Sequence, residues 1–99
     1  MAGAEAVYRA AARKYREAAE GQDAKDLNNL AWFLATCADS KFRDGPGALR
    51  FAEKAVAATN RTNAMYLDTL AAAYAEAGNF AEAIKIQSEA ISLVNDEEG

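Results

Sequence analysis

Cys37 is the strongest nucleophile in this sequence, and a cysteine becomes reactive only where a base or a positive charge draws off its proton. The 99 residues contain no histidine, so the commonest proton shuttle and metal ligand near neutral pH is missing. With no activating motif beside it, Cys37 is expected to be a small buried apolar side chain. As the only cysteine, it also excludes an internal disulfide. Arg9, Arg13 and Arg16 would suit phosphates. However, Glu5, Glu17 and Glu20 each stand four residues from one of these arginines, the pattern of a solvated, ion-paired helix face. No aromatic stacking series accompanies the arginines, and the net charge of −4 opposes nucleic-acid binding. Gly45-Pro46-Gly47 lacks the lysine and the glycine spacing of a phosphate cradle. No acid–base pair or nucleophile constellation is recognisable, so an enzyme, a metal centre and a cofactor are not expected. Trp32 is the residue best suited to recognition, because an aromatic anchor often carries a large share of interface energy. The opposing reading buries it against the first helix near Tyr8 or Tyr15, where large aromatics of small domains usually lie.

Helices must position these residues. Alanine dominates the apolar fraction, and the β-branched and aromatic residues that favour strands are sparse. Val7, Ala11, Tyr15 and Ala18 or Ala19 recur at helical spacing and predict helix one over 4–20. Gly21 suits a left-handed end to it, and Asp23 can cap a second helix over 24–38. In that helix Leu27, Leu30, Ala31 and Leu34 line one face, and Phe33 and Cys37 widen it, so it is expected to be covered on two sides. Pro46 opens helix three, 46–58, in a first turn where its missing amide costs nothing. Thr62 or Asn63 caps helix four, 63–77, which Gly78 closes; Asn79 with Glu82 opens helix five, 80–94. Phe42 and Arg43, in the long turn after helix two, are expected to tuck back onto the helices.

A chain of this length makes one small domain and buries only about 60–65% of its unfolded surface. Its charge is uneven: residues 1–61 carry ten basic and eight acidic side chains, residues 62–99 one basic and seven acidic. No apolar run is long enough for a membrane span, and Glu5 and Arg9 interrupt any signal-peptide core. A cytoplasmic location is expected, with no membrane partner.

The strongest pattern is repetition. Leu67-x-x-Leu70-Ala71-x-x-Tyr74, a break at Gly78-Asn79, then Phe80-x-x-Ala83-x-x-x-Gln87-x-x-Ala90 echoes Leu27-x-x-Leu30-Ala31-x-x-Leu34 followed by Ala48-x-x-x-Ala52-x-x-Ala55. This cadence resembles the tetratricopeptide repeat, a 34-residue antiparallel helix pair. Gln87 and Asn95 depart from the family pattern, standing where an aromatic and a proline are usual. Leu34 to Ala48 spans 14 residues where Tyr74 to Ala83 spans 9, an insertion of five. That segment, with Arg43-Asp44, is similar to a variant of the repeat found in large bacterial proteins. The resemblance divides the chain into a half repeat (1–23), a repeat with a long turn (24–63), a near-regular repeat (64–95) and a frayed tail (96–99). It implies an all-α fold, a right-handed superhelix or solenoid of antiparallel helix pairs.

The resemblance also implies a function: a non-catalytic module that binds a protein or peptide across the groove of helices two and four. Carried onto this sequence, the groove positions are Lys25, Asn28, Trp32 and Thr36, then Met65, Asp68, Ala72 and Glu76. Each set falls on one helical face by its i, i+3, i+7, i+11 spacing. Only Lys25 is basic and Asp68 and Glu76 are acidic, so a basic or apolar peptide suits the groove better than an acidic one. A stack of repeats also needs its end covered. No helix follows helix five in the sequence, so its Ile86, Ala90, Leu93 and Val94 are expected near an open surface, with Ile84 and Ile91 packed inward. The rival function follows from that end: a structural or oligomerisation segment, a homodimer through the fifth helix.

Overall fold

The computed structural model describes the backbone of residues 3–98 and the side chains of residues 3–95. These form five α-helices, α1 (Gly3–Ala19), α2 (Ala24–Thr36), α3 (Gly45–Ala58), α4 (Ala64–Glu76) and α5 (Phe80–Glu98), with no strand among the described residues. The all-helical reading holds, and most helix ends lie within two residues of expectation. The exception is α5, which continues to Glu98 rather than ending near Val94. Backbone at 96–98, expected to fray, is therefore helical, while Gly99 lies outside the described residues.

Side-chain oxygens set the helix starts by accepting from amides that have no partner within the helix. Asp23 accepts from the Lys25 amide, Asp44 from Gly47, Asn63 from Tyr66 and Asn79 from Glu82. Gly78 ends α4 at φ +89°, as its sequence position implied. Gly21 does not play that part for α1. The left-handed residue is Gln22, at φ 61°, and its side-chain amide donates to the Ala19 carbonyl at 3.2 Å. That bond gives a non-glycine residue a reason to sit where glycine is usual.

The core is built from leucine knobs on alanine floors. Leu30, Leu67 and Leu70 are the largest fully enclosed side chains, and Ala48, Ala52 and Ala55 of α3 have no exposed surface. Alanine lets helix axes approach closely, and α4 uses this by packing against both α2 and α3. The outer helices are less enclosed: α1 rests mainly on α2 and α5 on α4. As expected, α2 is internal, with Leu27, Leu30, Ala31, Leu34 and Ala35 buried. Cys37 is buried as well.

The five inserted residues are firmly tied. A 3-10 turn, Ser40–Phe42, starts on the Asp39 carboxylate, and the Asp44 amide donates to the Leu34 carbonyl at 2.8 Å. Arg43 donates to the Cys37 carbonyl and reaches Glu76 on α4 at 3.5 Å. Phe42 lies against Tyr8 and Phe33, so Phe42 and Arg43 do fold back onto the helices. Gly45 lies so close to Ala77 that a Cβ there would meet its backbone at 2.9 Å.

Among the described residues, no helix is long and apolar enough to cross a membrane.

Candidate binding groove

Three helices contribute to the main concavity. On α1, Tyr8 and Tyr15 are seven residues apart and share a face; on α2, Asn28, Trp32 and Thr36 do the same; on α4, Met65, Asp68 and Thr69 close the third side. Together with Asn29, Phe33 and Cys37 they enclose about 470 Å³, within the range of about 300–1,000 Å³ that holds small ligands or side chains. Five of the eight groove positions drawn from the repeat resemblance therefore meet at one cavity: Asn28, Trp32, Thr36, Met65 and Asp68. Lys25, Ala72 and Glu76 do not line it. Glu76 faces Arg43 at the far end of α4, and Ala72 belongs to the next hollow along.

The walls are aromatic. Phe33, not Trp32, packs on α1, with its ring 5.4 Å from that of Tyr15. Trp32 keeps 47% of its surface exposed, so the expectation that it is buried against α1 is corrected. One residue of sequence explains the exchange: Phe33 points to the α1–α2 contact, and its neighbour Trp32 is rotated about 100° away, toward the opening.

Polar groups in the cavity are few. Thr36 donates its hydroxyl to the Trp32 carbonyl at 2.7 Å and Thr69 to the Met65 carbonyl at 3.2 Å, so both satisfy their own helices first. Asn28 is different. Only 7% of its surface is exposed, and its Oδ1 is enclosed with no donor among the described residues. An enclosed acceptor without a donor costs about 1–3 kcal/mol, and because Asn28 lines the cavity, a turn of its amide toward the opening would let an incoming N–H relieve that cost. Asp68 is the only charged residue lining the cavity, and it makes no ion pair among the described residues. An apolar or cationic group fits these walls; an anion does not.

Reading the groove from α2 and α4 alone missed Tyr8, Tyr15, Phe33, Asn29, Cys37 and Thr69. The seven-residue spacing of Tyr8 and Tyr15 was the available signal for the α1 wall.

Beyond Trp32 and Asp68 the surface continues into the crease between α4 and α5, where Ala72, Ala75 and Ala83 form the floor. Here the face assigned to helix five is reversed. Ile86 and Ala90 are buried in the core and Leu93 is half-buried, whereas Ile84 is 69% exposed and Ile91 and Phe80 are also exposed. Val94 alone of the four predicted residues is exposed as expected. The reversal is a matter of phase. Ile86 and Ala90 share the face turned to α4, and Phe80, Ile84, Ile91 and Val94 form a second stripe about a quarter-turn round.

On the opposite side of the molecule, Arg61 clasps Glu89 through two hydrogen bonds of 2.8 and 2.6 Å. This bidentate contact holds the Glu89 carboxyl below its ordinary pKa and raises that of Arg61. Nearby, burial and then the Glu53 carboxylate push the Tyr74 hydroxyl up. Among the described residues no group of histidine, cysteine, aspartate and glutamate side chains is arranged to hold a metal ion. Compared with models of known families, with curated proteins and with solved structures, the chain matches none.

Proposed function

We propose that the chain is a non-catalytic interaction module of tetratricopeptide-like architecture, its helix pairs forming a short right-handed superhelix, and that it binds a peptide segment of another protein in the α1–α2–α4 groove. The observation that carries this reading is the enclosed Asn28 Oδ1, without a donor, in an aromatic-walled cavity beneath a half-exposed tryptophan. A peptide N–H supplies the missing donor, and an apolar or basic side chain fills the space between Tyr15, Trp32 and Met65. The single carboxylate, Asp68, favours a cationic residue in the bound segment. Bacterial cytoplasmic origin belongs to the same reading, through the long-turn repeat variant that residues 24–63 resemble.

Selection of random peptides on the full chain, followed by amide chemical-shift mapping, tests this. Selected peptides should be basic or apolar, shift amides around Tyr15, Asn28 and Trp32, and lose binding on Tyr15→Ala. Selection that yields no binder, or binders whose shifts avoid all three residues, would overturn it.

A further inference from the structure

Two creases of the molecule are floored by alanine. That between α2 and α3 is floored by Ala48, Ala52 and Ala55 and is filled by α4. That between α4 and α5 is floored by Ala72, Ala75 and Ala83, yet among the described residues no third helix lies across it, and Ile84 and Ile91 stand exposed along its wall.

We propose that this second crease is a docking site for one amphipathic helix of a partner protein, with a lysine or arginine on its apolar face opposite Asp68. A helix is the element that an alanine floor admits, since small side chains let two axes approach to about 8–10 Å. The floor and wall run along some three turns of α4, roughly 16 Å at 1.5 Å per residue, which sets the length that the partner buries. Charge sets the rest. Asp68 lines both hollows of the crease and, among the described residues, is the only charged one to do so. It has no hydrogen-bonded or ionic partner among the described residues. A neutral helix laid across it would bury a lone carboxylate, which is strongly unfavourable, whereas a cation at that point is paired as it is buried. Residues 62–99 carry one basic and seven acidic side chains, a balance of charge that favours a basic helix over an acidic one. The same distribution opposes a symmetric pairing of two α5 helices, which brings two acidic halves together and leaves both Asp68 carboxylates without a cation.

The test uses synthetic amphipathic helices of about 18 residues, long enough to hold helical structure. They are built of leucine, alanine and glutamine with one lysine walked along the apolar face, alongside a matched set with glutamate in its place. Binding to the full chain is followed by fluorescence anisotropy. The best lysine peptide should bind roughly tenfold or more tightly than its glutamate twin, and Asp68→Lys should reverse that order. Ile84→Glu, at an exposed position, should abolish binding while leaving the circular-dichroism melt unchanged; Tyr15→Ala, in the groove on the other side of Trp32, should leave it intact. Independence from Tyr15 separates this site from the peptide groove, so either can fail alone. Equal binding of both peptide sets, no binding by any, or loss on Tyr15→Ala would overturn the proposal. So would a dimer of the peptide-free chain that Ile84→Glu dissociates, because the crease would then belong to a second copy.

Discussion

The α2–α3 crease and the α4–α5 crease are both floored by alanine, from α3 alone in the first and from α4 and α5 together in the second, but one is sealed and the other open. Sealing is done by α4, which packs on both helices and whose Leu67 and Leu70 are buried in the same core as Ala52 and Ala55. The difference teaches that an alanine ridge is not by itself a core: it specifies how closely a helix can approach, and burial follows only where a helix is supplied.

The largest expected effect contrasts the two creases directly. Leu67→Ala, in the sealed one, should cost about 2–5 kcal/mol in urea unfolding, through lost burial and the cavity left behind. Ile84→Ala, removing a similar volume in the open one, should stay within about 0.5 kcal/mol. Equal costs would erase the distinction. Next in size is Gly45→Ala. Because its Cβ would meet the Ala77 backbone, about 1–3 kcal/mol should be lost as the start of α3 is pushed from the end of α4; a neutral result would mean that this junction yields easily.

Asn28→Leu should act in the other direction. Replacing an enclosed acceptor that has no donor by an apolar side chain of similar size should stabilise the chain by about 1 kcal/mol, while weakening peptide binding. Destabilisation would mean that Asn28 serves the fold.

The smallest effect concerns the exposed clasp between the α3–α4 loop and α5. Glu89 has a lowered folded-state pKa. Its contribution is therefore present above the unfolded glutamate pKa and is lost as pH falls through the folded value. Solvent screening keeps it below about 1 kcal/mol. Glu89→Gln should flatten the acid limb of a stability–pH profile by that amount and leave neutral-to-alkaline slopes unchanged.

Much of the architecture was legible because it rests on local rules. Helical spacing placed five helices, and Asp23, Asn63, Asn79 and Gly78 marked ends that the structure keeps. The errors occurred where chemically similar residues close in sequence compete for a face. Trp32 and Phe33 are both large aromatics, and only the position of α1 decides that Phe33 packs while Trp32 stays exposed. On α5, Ile84, Ile86 and Ile91 are chemically alike, so the direction of α4 alone selects Ile86 for the core. The left-handed turn at Gln22 was hidden for a related reason, since Gly21 is the better residue for it and the choice depends on the bond from the Gln22 amide to Ala19. The α1 wall of the groove, Tyr8 and Tyr15, required knowing that α1 lies close enough to enclose the space above Asn28.

Trp32 is the only tryptophan in the chain, and it lines both the groove and the crease beyond it, so Asn28, which lines the groove and not the crease, tells the two apart. In a titration with a basic or apolar peptide selected on the full chain, the emission of Trp32 should shift to the blue and saturate. Asn28→Leu should weaken that titration by about tenfold, the equivalent of one hydrogen bond. Peptides that bind equally to both forms and leave the emission of Trp32 unchanged would contradict the assignment of this groove as the binding site.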